Sequence, residues 1–324
     1  MTNILIIGGG GMIGQKLARL LADQGWQGEP AEVTLYDVGF PQNGADASRR
    51  IVGNLTENGA AVGLASTRPD IVFHLAAIVS GEAEQDFDTG WQVNMFAGWS
   101  LLEALREQHE ASGGTYRPRV VFASSIAVFG APFPDQIGDE FLTAPLTSYG
   151  AQKAISEMML SDFSRKGFVD GISIRLPTIC VRPGKANKAA SSFFSSIIRE
   201  PLNGRKVILP VSDTVRHYHA SPKSAAGFLN HAAGLDTGQL DGRLSLNMPG
   251  VSCTVAEQIQ ALSDIAGAGT VALISHDEDP EVAKIVGGWP QDFDATRARA
   301  LGFQAETSFR DIIQTYIDED LGHS

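Results

Sequence analysis

Tyr149 and Lys153 stand four residues apart in "TSYGAQKAISEMML", a stretch with helical periodicity. That spacing puts both side chains on one face of a helix, one turn apart. A phenol of ordinary pKa, about 10, is a poor base at neutral pH, but a neighbouring ammonium favours the phenolate. Lowering the phenol by about three units corresponds to roughly 4 kcal/mol of differential stabilisation. By itself Y-x-x-x-K also describes a solvated helix pair worth about 0.2–0.5 kcal/mol. What raises it is Ser125, which with Ser124 ends the apolar run in "VVFASSIAVFG". A hydroxyl there can hold a substrate oxygen beside the tyrosine; Ser124 is expected to lie near a cofactor ring or to be structural.

These groups need a scaffold, and the runs "NILIIG", "EVTLYDV", "DIVFHLAA", "RVVFASS" and "GISIRLP" supply it. Strands apolar on both faces, alternating with amphipathic stretches such as "WQVNMFAGWSLLEALREQ", argue for an α/β fold with a parallel sheet covered on both sides. In such a Rossmann-type, doubly wound sheet the C-terminal strand ends line the ligand crevice. The rhythm breaks after about Arg182. Residues 1–182 with about 214–237 are expected to form the cofactor domain, and 183–213 with about 238–324 a smaller C-terminal α/β substrate-binding cap.

The opening "ILIIGGGGMIGQKLARLL" reads as strand, tight turn and helix, with Gly8, Gly11 and Gly14 in a G-x-x-G-x-x-G register. The turn needs positive φ, a backbone bare enough for a pyrophosphate to approach, and a small residue where helix meets strand. The first amides of a helix over Met12–Ala22 would face the phosphates. A Walker loop is excluded, since Gly14 is followed by Gln15 and Lys16 rather than by Lys and then Ser or Thr. Asp37, ending "VTLYD", is placed to accept from ribose hydroxyls and to repel a 2′-phosphate, which favours NAD over NADP. Arg49 and Arg50 are read as solvated.

The chain has 324 residues, 43% of them hydrophobic, enough for one large domain and a smaller one. Its formal charge of −12 argues against nucleic acid or an acidic membrane surface as a partner. Cys180 and Cys253 lack metal or redox spacing and are expected to be buried free thiols, with no metal site. The apolar run Ile4–Ile7 is too short for a signal or membrane segment, so a cytoplasmic location is expected.

In order along the chain, Gly8-x-x-Gly11-x-x-Gly14, Asp37, "HLAA" at 74–77, Asn94 in "WQVNMFAG", "SSIAVFG" and Tyr149-x-x-x-Lys153 resemble the extended short-chain dehydrogenases of the NAD-dependent epimerase/dehydratase family. The resemblance spans the cofactor domain. Ile7 stands where Thr often precedes the first glycine, and Asn54 in "GNL" replaces the usual adenine-contacting Asp. The resemblance implies that Ser125, Tyr149 and Lys153 are the catalytic set and that Lys153 also holds the nicotinamide ribose. It further implies that Met12 and Ile13 cover the pyrophosphate and that Leu75, Ala76 and Ala77 pack along the adenosine. Asn94 would tie the active-site helix through water, Thr178 would approach the carboxamide, and His74 would be structural.

The stretches "AAIVSGEAEQDFDTGWQVN", "FSRKGFVDGISIRLPTICVRPGKANKAASSFFSSIIREPL" and "LNMPGVSCTV" carry the resemblance into the cap, toward the D-erythronate dehydrogenases, which oxidise the C2 hydroxyl of a four-carbon sugar acid with NAD. A small sugar acid needs a cation for its carboxylate, and a bidentate Arg suits it. Arg182 and Arg216 are the candidates, with structural ion pairing the competing role for each. Ser80 is expected to bind a substrate hydroxyl, and Lys185, Asn187 and Lys188 to belong to a closing loop. A nucleotide-sugar epimerase with retained NAD and a non-catalytic dinucleotide sensor are the alternatives, although sensing does not require the Ser, Tyr and Lys set. "AISEMMLSDFSR" and "MFAGWSLLEALREQ" suit a homodimer interface by the same resemblance.

Overall fold

The computed structural model describes residues 1–184 and 190–322. Its first part runs β1 (Thr2–Ile7), α1 (Met12–Gln24), β2 (Ala31–Asp37), β3 (Arg49–Val52), α2 (Ala60–Ser66), β4 (Ile71–His74), α3 (Ser80–Gln85), α4 (Phe87–Trp91), α5 (Ala97–Ala111), β5 (Arg119–Ser125), α6 (Ser148–Arg165) and β6 (Asp170–Leu176). Then come β7 (Thr178–Ile179), α7 (Ser192–Leu202), β8 (Val207–Leu209), β9 (Arg216–Ala220), α8 (Pro222–Gly234), β10 (Ser245–Asn247), β11 (Val251–Thr254), α9 (Val255–Ala266) and β12 (Ile274–His276).

A seven-stranded sheet has the order β10-β6-β5-β4-β1-β2-β3. The β1 strand lies parallel to both β2 and β4, with Ile4 opposite Val33 on one side and Ile71 on the other. The order therefore reverses at β1, the switch point where an open α/β sheet leaves a crevice at its C-terminal edge. Ile4 to Ile7 are buried on both faces, as helices on each side require. One such layer packs Leu101, Leu102 and Leu105 of α5 with Leu160 and Phe163 of α6 against Val72, Val120 and Phe122.

The described chain divides into two compact units, residues 1–128, 147–175 and 226–246 in one, 129–146, 176–225 and 247 onward in the other. These differ from the divisions expected from sequence, and strand pairing explains why. In the second unit β9 joins β7 in parallel and β11 antiparallel, so residues 176–182 and 214–225 go with it. Residues 129–146 follow because Ile137 bridges to Phe293 and Asp139 accepts from the Asn247 amide at 2.7 Å. Of the stretch near 214–237 expected to go with the cofactor domain, residues 226–237 do, with most of α8, while the last strand of the sheet is β10.

The second unit has its own core, in which Phe194, Ile197 and Ile198 of α7 meet Leu209, Val211, Leu262 and Ile313. A capping box between Thr254 and Glu257 starts α9. Cys180 and Cys253 are buried free thiols, each pushed up to about 12 by burial. Among the described residues no helix is long and apolar enough to cross a membrane, and no cluster of His, Cys, Asp or Glu could hold a metal ion.

Candidate active site

The glycine turn is held by backbone bonds to its neighbour strand. The Gly8 and Gly9 amides both donate to the Tyr36 carbonyl, at 2.9 and 3.1 Å, and Gly8 has φ +87°. A Cβ at Gly8 would come within 2.6 Å of the Ala76 amide, and one at Gly14 would collide with the Gly8 carbonyl. These are the positions where only hydrogen lets strand, turn and helix close together. Gly11 is the N-cap of α1, with no side-chain cap and no acid in the first turn, so the first amides of that 13-residue helix face outward without a side-chain acceptor. Met12 and Ile13 are half-buried there.

Asp37 ends β2 and accepts from the Gly10 amide at 2.9 Å, which fixes its carboxylate beside the turn. Gln15 does what its sequence context did not disclose: buried, it donates to the Gly9 carbonyl at 2.5 Å and accepts from the Ala45 amide at 2.6 Å. It staples the glycine turn to the loop after β2. Arg50, read as solvated, bonds the Gly44 carbonyl at 2.9 Å and the Ala45 carbonyl, bracing the same loop. Asn54 turns its Oδ1 inward on Thr56, accepting from its amide at 3.0 Å and its hydroxyl at 2.9 Å. Leu75 and Ala76 donate their amides to the Ile7 carbonyl, and Ala77 is exposed beyond them.

Helix α6 carries the reactive pair. Thr147 caps it by accepting from the Gly150 amide at 3.1 Å, and Glu84 of α3 accepts from the Ser148 amide at 3.0 Å. Tyr149 is half-buried in the first turn and Lys153 buried in the second. The Lys153 ammonium donates to the Ala123 carbonyl of β5 at 2.8 Å and lies 4.7 Å from the Phe122 ring centroid and 5.6 Å from that of Tyr149. Burial lowers its pKa to about 8, against which the Glu157 charge pulls upward, so it is still largely an ammonium at neutral pH.

Two residues past Ala123, Ser125 accepts from the Ala127 amide at 3.1 Å through its Oγ, which leaves its hydroxyl hydrogen to be donated. Ser124, on the opposite face of the strand, is buried and donates to Glu157. Of its two expected roles the structural one fits this contact. Glu157 is in turn gripped by Arg175, a partner sequence spacing did not suggest.

Asn94 is buried in a π-helical turn over Gln92–Phe96. It accepts from the Ile78 amide at 2.9 Å, donates to the Ile78 carbonyl at 3.2 Å and donates to Gln152 of α6 at 2.7 Å. The tie to the active-site helix is thus a direct side-chain bond, where a water-mediated one was expected. His74 is buried against Phe122, its pKa lowered to about 4 by burial and by Lys153, so it is neutral and packed.

In the second unit, Thr178 is half-buried with its hydroxyl 2.6 Å from His217 Nε2. Arg182 donates from Nε to the Ile179 carbonyl at 2.9 Å. Arg216 bonds the Ser252 carbonyl at 3.2 Å and Glu257 at 3.2 Å, the ion-pairing role weighed against carboxylate binding. Ser80 opens α3, half-buried. Lys185, Asn187 and Lys188 lie outside the described residues.

The NAD-dependent epimerase/dehydratase family model matches residues 4–218, the stretch that holds the glycine turn, Asp37, the serine pair and the Tyr149–Lys153 helix. The chain belongs to that family. It is 44% identical over 324 residues to a D-erythronate dehydrogenase of Cupriavidus necator, covering 98% of each chain. It is 40% identical over 320 residues to the D-erythronate dehydrogenase of Haemophilus influenzae, covering 98% of this chain and 99% of that one. A crystal structure described as a nucleoside-diphosphate-sugar epimerase from Agrobacterium tumefaciens superposes with a TM-score of 0.95 at 52% identity, covering 100% of this chain and 95% of that one.

NAD is the cofactor of this family, and the residues fit it. The uncapped start of α1 suits a pyrophosphate, the bare Cβ positions of Gly8 and Gly14 allow the close turn, and the Asp37 carboxylate suits ribose hydroxyls.

Proposed function

We propose that this family member oxidises the C2 hydroxyl of D-erythronate to 2-oxo-D-erythronate, with Tyr149, Lys153 and Ser125 as the catalytic set. The chemistry rests on one arrangement: a buried ammonium 5.6 Å from the Tyr149 ring on the same helix, anchored to the strand that ends in Ser125. The acid is taken from the two relatives named for it.

Tyr149, as phenolate, removes the hydroxyl proton while Lys153 stabilises its negative charge. Ser125 donates its free hydrogen to the same substrate oxygen as the carbonyl forms. Bound NAD supplies the two-electron acceptor for the C2 hydrogen. The proposed cofactor contacts are Gly8, Gly11, Met12, Ile13, Gly14, Asp37, Asn54 and Leu75–Ala77, with Asn94 acting through the bond it makes to Gln152. Arg182 and Arg216 are the proposed carboxylate partners and Ser80 a hydroxyl partner. Phe96, Trp99 and Met158, exposed on α5, its preceding turn and α6, support a homodimer across these helices.

The test is NADH formation by the purified protein with NAD and, separately, D-erythronate, L-threonate and a nucleoside-diphosphate hexose. A rise with D-erythronate that Tyr149→Phe reduces at least about 10²-fold, with NAD affinity kept, supports the reading. No rise with the acids, together with epimerisation of the hexose and no free NADH, would favour the activity for which the Agrobacterium protein is named.

A further inference from the structure

Gln15, near the start of α1, is buried, and both ends of its amide are held by main-chain groups. The Ala45 N–H, which only donates, faces Oε1 at 2.6 Å, and the Gly9 carbonyl, which only accepts, faces Nε2 at 2.5 Å. These two partners admit one orientation of the amide. The far anchor is itself held, because Arg50 donates to the Gly44 carbonyl at 2.9 Å and to the Ala45 carbonyl.

The bond to Gly9 has an effect beyond the turn. The Gly9 carbonyl and the Gly10 N–H belong to one planar peptide unit, so holding the oxygen fixes where the N–H points. That N–H donates to Asp37 Oδ2 at 2.9 Å. A continuous row of hydrogen bonds therefore runs from Ala45 through Gln15 and the Gly9–Gly10 peptide to the Asp37 carboxylate, each polarising the next.

Neither glycine can restrain this peptide by itself. Without a Cβ on either side it turns over at little cost, which would set the Gly9 oxygen against the Asp37 carboxylate in place of an N–H. A stiffer residue is excluded at both positions: a Cβ at Gly9 would lie 2.8 Å from that of Leu35, and one at Gly10 would collide with the Gly39 carbonyl. We propose that Gln15 is a positioning residue for cofactor recognition, which locks the Gly9–Gly10 peptide and through it the Asp37 carboxylate. The preference for an adenosine ribose without a 2′-phosphate then depends on a side chain buried behind the turn. The inference rests on the reading of Asp37 as the ribose partner and is independent of the sugar acid; all its residues lie in the first compact unit.

Two measurements on the full-length apoprotein test it, neither of which needs turnover. Amide hydrogen exchange followed by NMR should show the wild-type Gly10 N–H protected, and the same amide in Gln15→Met exchanging faster; a wild-type Gly10 amide that exchanges as an open loop does overturns the proposal without any variant. Calorimetric titrations then give dissociation constants for NAD and NADP in a double-variant cycle. Gln15→Met, of similar length but with no amide, should weaken NAD about tenfold and narrow the NAD to NADP ratio by about three- to tenfold. In an Asp37→Asn background, where the charge to be aimed is gone, Gln15→Met should change that ratio by less than about twofold.

A folded Gln15→Met protein with the wild-type ratio overturns the proposal, and so does one that narrows the ratio equally in both backgrounds, since Gln15 would then not act through Asp37. Should Gln15→Met fail to fold, Gln15→Asn, one methylene short of both partners, is read in the same way. A protein that shows the protected amide and the coupled ratio but does not oxidise D-erythronate refutes the substrate reading and supports this one.

Discussion

Arg175 grips the Glu157 carboxylate from the side, its Nε 3.0 Å from Oε1 and its Nη2 2.8 Å from Oε2, with both side chains buried. Glu157 sits one helical turn beyond Lys153 and also takes the Ser124 hydroxyl, so this pair fixes α6 against the strand that ends in Ser125. Glu157→Gln would leave a buried guanidinium without its counter-charge. The expected loss in urea unfolding is about 3–5 kcal/mol, and less when Arg175→Met is added, because the double variant leaves no lone charge. A single variant as stable as wild type would refute the role given to this pair.

His74 and His217 both titrate at about 4 in the folded chain, against an ordinary 6.5, because burial opposes their charged forms. Between these values the unfolded chain binds protons that the folded chain refuses, so stability falls as pH drops from about 6.5 to 4. Each contributes a loss of roughly 2–3 kcal/mol over that window. Unfolding curves of the apoprotein at about pH 7 and pH 5 should show it, and His74→Leu should lessen the difference.

Gly14→Ala adds a Cβ that collides with the Gly8 carbonyl, a backbone atom that cannot step aside without opening the turn. NAD affinity should fall at least about tenfold, a loss of one good charged contact, while the second unit keeps its fold. Calorimetric titration with NAD measures this directly.

Asp37→Asn keeps an acceptor for the Gly10 amide but removes the charge. The ratio of NAD to NADP affinity should narrow by about ten- to hundredfold, mostly through tighter NADP. An unchanged ratio would place the nucleotide discrimination elsewhere.

How much of this was legible depended on how far apart the partners are in the chain. The turn over Gly8–Gly14, the helix that starts at Met12, Asp37 at the end of β2 and the Tyr149–Lys153 face are local patterns, in which backbone sterics and helical spacing impose the geometry. The family membership rests on those same local signs. Gln15 was invisible because its partners, Gly9 and Ala45, are brought together only when β2 pairs with β1.

The alternation of strands and helices, the dinucleotide turn and the chemistry-bearing residue types are written in the local order of residues, since each follows from short-range preference and burial periodicity. Which partner each polar side chain bonds is settled by packing. It turned Ser124 to Glu157 and left Ser125 a hydrogen to give, engaged Arg216 with Glu257 and set His217 behind Thr178. It also drew the boundary between the units, assigning β7 and β9 to the second. Hydrogen bonds and ion pairs act over about 3–4 Å, and contacts between residues tens of positions apart exist only once the chain is packed.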